Sequence, residues 1–490
     1  MAQEKKIRTH RQLRTALATA AAAALTGGLL VVTASTATAA TPSGTRGDFN
    51  GDGYGDVAVT APLASVNGTS GAGSVSILYG SKSGAGAAKV QTVSQNSAGV
   101  PGAAEKDDTF GGTAAAGDFN GDGYADLAVG SYKEDVGSDV NGGSVTILWG
   151  SGGGLSGGTS VKDPSAGSHD YFGTMLATGD YNGDGRADLA IASDLNVIDV
   201  YRGGFTKTGG TGGHYTVTAP VQRIPGADFR NLIPGDVNHD GRTDLIADGF
   251  EADSQEGWNA NYYLPGSASG VTRTGAQKLP AGLVSDVGDV NGDGYGDVVI
   301  GAQWDKDIAG AHKGGVVKVV YGTANGPDGG QDSVNQDSPG VPGAGETADA
   351  FGYELSLGDI NGDGRADLVV GAPGEDLNGV ADAGMVTVLY GSTGGFASTG
   401  AQSLAQDSPG VPGDNERGDS FGEEVYLADT NNDGRADLTV GAPHENNGDG
   451  YLVTFNSNGK KLAATGKGYG LTATKVSAAG TPLLGFGMTG

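Results

Sequence analysis

Carboxylates at alternating positions of a short, Gly-containing loop are the most chemically suggestive pattern in this chain. The sequence Asp-x-Asn-x-Asp-Gly-x-x-Asp occurs seven times. The first copy offers Asp48, Asn50, Asp52 and Asp56, with Tyr54 at position 7. The second offers Asp118, Asn120, Asp122 and Asp126 around Tyr124, and the third Asp180, Asn182, Asp184 and Asp188 around Arg186. Then come Asp236, Asn238, Asp240 and Asp244 with Arg242, and Asp289, Asn291, Asp293 and Asp297 with Tyr295. The last two are Asp359, Asn361, Asp363 and Asp367 with Arg365, and Asp429, Asn431, Asp433 and Asp437 with Arg435.

Calcium chemistry accounts for this spacing. A hard cation that takes six to eight oxygen ligands can be wrapped by alternate residues of a tight loop, with Gly at position 6 making the sharp turn. Position 7 varies between Tyr and Arg, as expected if it binds through its backbone carbonyl. Position 9 is expected to close the site. The first six positions follow the EF-hand loop, but no Glu stands at position 12 and an apolar, strand-like run follows position 9. Magnesium suits such a loop less well, because it prefers rigid octahedral sites that keep several waters. The competing reading is an Asx-turn that binds nothing. The expectation is up to seven Ca²⁺, one per copy.

Composition agrees with that expectation. The formal net charge is −28, and Cys is absent, so neither disulfides nor thiol chemistry are available. Lys5, Lys6, Arg8, Arg11 and Arg14, the apolar stretch to Val32 and Ala37-Thr38-Ala39 read as an export signal over residues 1–40. Its removal leaves a formal −32 on residues 41–490. Such a charge disfavours nucleic acid and anionic membranes, and after cleavage no membrane insertion is expected. A secreted monomer, with bound metal offsetting its own repulsion, is the consistent picture.

The elements that position the loops can be read from their surroundings. Gly supplies 93 of 490 residues, far above the roughly 7% of ordinary usage, which suits frequent turns between short strands. Successive loops begin 53 to 70 residues apart, a spacing typical of propeller blades or arrays. Phe110-Gly111, Phe172-Gly173, Phe351-Gly352 and Phe421-Gly422 each stand eight residues before a first Asp. After the loop comes a run such as Leu127-Ala128-Val129, read as an inner strand buried on both faces. Val370-Gly371-Ala372-Pro373 and Val440-Gly441-Ala442-Pro443 end two of these runs. An alternating strand such as Ser144–Trp149 and a weaker fourth strand follow. Four short strands are the content of one blade.

With those three motifs in fixed order, the chain resembles the FG-GAP repeat family, the propeller also found at the N-terminus of integrin α-chains. The resemblance implies an all-β, seven-bladed β-propeller over residues 41–490, with calcium loops between the first two strands of each blade on one rim. Blades four and five depart from it: Asp228-Phe229 is displaced by one residue, and Ala281-Gly282 keeps only Gly. Eight residues before Asp48 lies Ala40, so blade one lacks its own Phe-Gly strand. Phe486-Gly487-Met488-Thr489-Gly490, joined to Thr45-Arg46-Gly47, restores the register. The C-terminus is therefore expected to complete blade one.

Function is less legible. Gly154-Leu155-Ser156-Gly157-Gly158 formally matches a nucleophile elbow but lacks the strand–turn–helix context. His169, His214, His239, His312 and His444 form no His-x-x-x-His pattern, and His239 sits at a turn position of a loop. No catalytic residue is assigned. Trp258, Tyr262 and Tyr263 could stack on sugars, against the simpler reading of Tyr262 and Tyr263 as third-strand residues. Trp304-Asp305-Lys306-Asp307 and Lys133-Glu134-Asp135 belong to loops on the rim opposite the calcium, a common place for interaction. Two readings stay open. The favoured one is an extracellular binding or adhesion module for a protein or glycan. The alternative is a hydrolase or lyase acting on polysaccharide or lipid.

Overall fold

The computed structural model describes residues 47–222, 229–251, 257, 259–306 and 308–490. The expected export segment, Trp258 and Asp307 lie outside the described residues.

Seven four-stranded antiparallel sheets form the blades. Blade two shows the common order from the axis outward: Thr113–Gly117, Asp126–Ser131, Ser144–Trp149 and Ser156–Val161. In blades two to seven the Asp-rich loop joins the first strand to the second, and in blade one it leads into the second strand alone. The first strands of neighbouring blades lie side by side around the axis, from Thr113–Gly117 through to Met488–Thr489 and back. Side chains zip this inner ring together. Asp286 accepts the Leu357 N–H at 2.7 Å, Ser356 Oγ the Leu427 N–H at 2.9 Å, and Glu424 the Met488 N–H at 2.8 Å.

The run after each loop is the second strand, not the innermost one. Its burial on both faces comes from neighbouring blades. In Asp126–Ser131, Leu127 and Val129 pack toward blade one, whereas Ala128 packs toward blade three. One apolar cluster fills each of the seven blade junctions among the described residues. Phe110, Phe172, Phe351 and Phe421 are buried in four of them. Removing these surfaces from water is the main force holding blade to blade.

The ring closes by joining its two ends. Met488–Thr489 pairs antiparallel with Val57–Ala61, giving blade one its innermost strand. The register differs from the sequence expectation by two residues. Leu484, fully buried, fills the place that Phe holds in other blades, and Gly485 takes that of the following Gly. The Gly485 N–H donates to Thr60 O at 3.1 Å, as the Gly111 N–H donates to Gly130 O at 3.0 Å. Phe486 is 43% exposed. The meeting of two distant segments explains the shift: Gly490 abuts Gly47 so closely that a Cβ on Gly47 would overlap the Gly490 Cα. With Gly490 standing directly before Gly47, Leu484 lies eight places before Asp48.

Candidate metal centre

In each loop the first Asp organises the turn. Asp118 Oδ1 accepts the N–H groups of Gly121 and Asp122 at 2.7 and 3.1 Å, and Oδ2 that of Gly123 at 3.0 Å. Asn120 Oδ1 accepts the Asp122 N–H at 2.8 Å, and Asp122 Oδ1 accepts the Tyr124 N–H at 3.1 Å. The other copies follow this scheme, for example at Asp359, Asn361 and Asp363, except that in the seventh loop Asn431 turns its Nδ2 to Asp437 at 3.2 Å and its Oδ1 accepts nothing among the described residues. The loop needs left-handed backbone at positions 4 and 6. Gly123 has φ +88°, and His239 at position 4 has φ +55°, the turn role expected for it.

Position 9 does something the sequence did not reveal. Asp126 is fully buried and accepts two backbone N–H groups, from Phe119 at 3.1 Å and from Gly150 at 2.8 Å. Gly150 follows the third strand, so this carboxylate ties loop, second strand and third strand together. Asp56, Asp244, Asp297, Asp367 and Asp437 do the same. At Asp188 the arrangement is looser on one side: Oδ1 accepts the Gly203 N–H at 2.7 Å, and the Tyr181 N–H faces the same carboxylate outside strict hydrogen-bond geometry.

The sites are strongly anionic. Burial, reinforced by repulsion from Asp48 and Asp52, pushes Asp56 up to about 8. The same causes raise Asp126, Asp188, Asp244 and Asp367 to about 7, and Asp297 and Asp437 to about 6. Position 7 donates its backbone N–H to position 5 rather than standing apart. In three loops its side chain also pairs there: Arg242 with Asp240 at 3.1 Å, Arg365 with Asp363 at 3.2 Å and Arg435 with Asp433 at 3.4 Å. The carboxylates turn onto backbone N–H groups, and among the described residues no three Asp, Glu, His or Cys side chains converge as a metal cage. The donor set still fits calcium. Each loop holds three carboxylates and an amide oxygen on one turn, and in the seventh loop Asn431 Oδ1 is a buried acceptor lacking a donor.

Elsewhere, Tyr262 and Tyr263 lie in Ala260–Leu264, the third strand of blade four, with Tyr263 buried. Ser156 opens the outermost strand of blade two, so no helix follows it. On the rim opposite the Asp loops, Glu134 is gripped by Gln95 of blade one, Nε2 to Oε2 2.5 Å. Gln336 holds Glu375 and Gln406 holds Glu445 in the same way, at 2.6 Å each. All three glutamates are raised to about 7, chiefly by burial. Sequence reasoning noted Glu134 only as part of an acidic loop. The recurring Gln, 39 residues ahead of each Glu, was the available signal.

Comparison with known proteins places these features in a family. Residues 40–78, 110–148, 281–320, 351–389 and 421–455 match the FG-GAP repeat, and residues 180–247 match the FG-GAP-like repeat. Together the matches cover more than half of the chain. Integrin alpha-PS2 of Drosophila melanogaster is 28% identical over 277 residues, 56% of this chain and 16% of that protein. Phosphatidylinositol-glycan-specific phospholipase D of Dictyostelium discoideum is 29% identical over 186 residues, 36% of this chain and 19% of that protein. The mouse protein of the same name is 30% identical over 209 residues, 41% of this chain and 23% of its own length. The chain thus spans less than a quarter of each of these relatives. With its repeats, its blade order and its buried Phe-Gly positions in agreement, the chain belongs to the FG-GAP repeat family.

Proposed function

We propose that this chain is a secreted, calcium-stabilised propeller that acts as an extracellular binding module for a protein or glycan. The observation that carries the calcium reading is the crowding of three Asp in each of seven loops, one of them buried at the blade's own hinge of hydrogen bonds. In this reading Asp, Asn and Asp at positions 1, 3 and 5, the carbonyl of position 7 and Asp at position 9 hold the ion. When bound, the ion supplies the positive charge that the loop lacks. The chain's own residues shape the turn, keep the closing carboxylate dry and connect it to two strands.

The relatives support a module that works through its surface. An integrin alpha chain and a phospholipase D share these repeats while covering only small parts of those proteins, so the repeat is common to differing activities. The second reading, a hydrolase or lyase acting on polysaccharide or lipid, draws on the phospholipase relatives. A glycan array and a polysaccharide- and phospholipid-degradation screen, both with calcium, separate the two. Saturable binding without turnover is expected. Turnover abolished by one substitution outside the Asp loops would replace the binding reading with the enzymatic one.

A further inference from the structure

The Asp loops differ in what holds the carboxylate at position 5. In every loop one of its oxygens accepts the position-7 N–H. The second oxygen separates two groups. In loops one, three and five it accepts the amide of the Asn at position 3: Asn50 to Asp52 at 2.9 Å, Asn182 to Asp184 at 3.2 Å and Asn291 to Asp293 at 3.0 Å. In loops four, six and seven a guanidinium takes that oxygen, as Arg242, Arg365 and Arg435 turn Nη1 onto Asp240, Asp363 and Asp433. The Asn of these loops points elsewhere. Asn361 and Asn431 turn Nδ2 to the position-9 carboxylates at 3.4 and 3.2 Å, and Asn238 turns to the Tyr263 hydroxyl at 3.2 Å. In loop two Lys207 Nζ stands 4.0 Å from Asp122, at the outer limit of an ion pair.

Each of these three arginines is seated by the loop of the preceding blade. Its stem crosses the Gly at position 4 there: a Cβ on Gly183, Gly292 or Gly362 would lie 3.1 Å from an atom of Arg242, Arg365 or Arg435. Nε is buried in all three and has no hydrogen-bond partner among the described residues. The guanidinium therefore meets its carboxylate through Nη1 alone, not as a bidentate fork. An ion pair of this kind, about one-third exposed, is worth little by itself. It nevertheless places a positive charge on an oxygen that calcium needs. A divalent ion entering these loops must displace the guanidinium and then bear its repulsion. Arg186, at position 7 of loop three, is exposed and makes no such pair among the described residues.

We propose that the loops form two calcium classes, with Arg242, Arg365 and Arg435 as resident latches that make loops four, six and seven the weaker class. The inference rests on the calcium reading above. In the ion-free chain each latch stands in for the missing positive charge, and calcium releases it. The test is stepwise calcium titration of the full chain, followed by calorimetry and native mass spectrometry. Beside it stand the triple variant Arg242→Gln/Arg365→Gln/Arg435→Gln, which keeps most of each stem and removes the charge, and Lys207→Gln. The parent chain should take up four ions, and then three more about three- to tenfold more weakly. The triple variant should tighten the second set by that factor, so that all the ions bind as nearly one class. Lys207→Gln removes a charge that is not hydrogen-bonded to its loop and should alter the titration less than about twofold. In EDTA the triple variant should melt about 1–3 °C below the parent chain, a loss that saturating calcium removes. A single affinity in the parent chain, no tightening in the triple variant, an equal effect of Lys207→Gln or unchanged melting in EDTA would each overturn the two classes and leave the calcium reading in place. Three strong and four weak ions would tie the weakness to arginine at position 7 as such, Arg186 included, and would overturn the latch. A chain that binds no calcium would remove both readings.

Discussion

Replacing Leu484 by Ala, beside Phe486 by Ala, tests how the ring is closed. Leu484 is fully buried among Val57, Val59, Leu452 and Val476 at the junction of blades seven and one. Truncating a buried Leu costs about 2–5 kcal/mol, depending on how far the site can collapse. Gly441 lies against Gly485 O, and backbone hydrogen bonds pin both sides of this segment, so little collapse is available. The upper half of that range is therefore expected. Unfolding entropy near 2.1 cal/mol/K per residue makes about 0.9 kcal/mol per kelvin for a propeller of this length, if it melts as one unit. Leu484→Ala should then lower the melting temperature by about 4–6 °C. Phe486→Ala, at a 43% exposed position, should change it by less than about 1 °C. Differential scanning calorimetry of both variants in the same calcium buffer is sufficient. Equal losses, or a larger loss for Phe486→Ala, would show that Phe486 holds the inner position and would refute the register described above.

Three further outcomes follow from particular contacts. Gly143→Ala should cost about 2–4 kcal/mol, because φ is +81° and its Cβ would lie 2.4 Å from Phe172 N; Gly137→Ala, left-handed at +67° but open on its side-chain side, should cost only about 1 kcal/mol. Glu134, Glu375 and Glu445 are raised from 4.5 to about 7, so between those values the folded chain binds protons that the unfolded chain releases. Their contribution to stability is present at pH 4.5 and below, and it is lost as pH rises toward 7. Glu-to-Gln replacement at all three should flatten the fall in melting temperature between pH 5 and pH 8; an unaltered slope would exclude these groups as its source. Deleting residues 484–490 removes the innermost strand of blade one and leaves Glu424 without the Met488 N–H. It should lower the melting temperature well beyond Leu484→Ala alone, as calorimetry of the truncated chain would show.

Much of the fold was legible because the repeat displays its markers locally. Phe-Gly, the Asp loop and an apolar run in fixed order give both the strand count and the loop position. What stayed hidden depends on contacts between distant segments. Nothing near Leu484 marks it as the equivalent of Phe110, since the register is set where Gly490 meets Gly47. The sequence offered the nearest Phe, and Phe486 is two residues too late. Position 9 looked like a ligand alone, because the Gly that donates to it comes after the third strand. The Gln–Glu pairs cross from one blade to the next, beyond the reach of any local pattern. The Tyr262-Tyr263 pair that stood out in sequence lies in a third strand.

The calcium claim is the centre of this account, and metal stoichiometry with melting tests it most directly. Native mass spectrometry of the chain in calcium, followed by calorimetry with and without EDTA, would supply both quantities. Seven ions per chain are expected, with Asp188→Ala reducing the number to six. Each site occupied a hundredfold above its dissociation constant adds about 2.7 kcal/mol by mass action. EDTA should therefore lower the melting temperature by many degrees. A chain that carries no calcium and melts at the same temperature in EDTA would contradict the account.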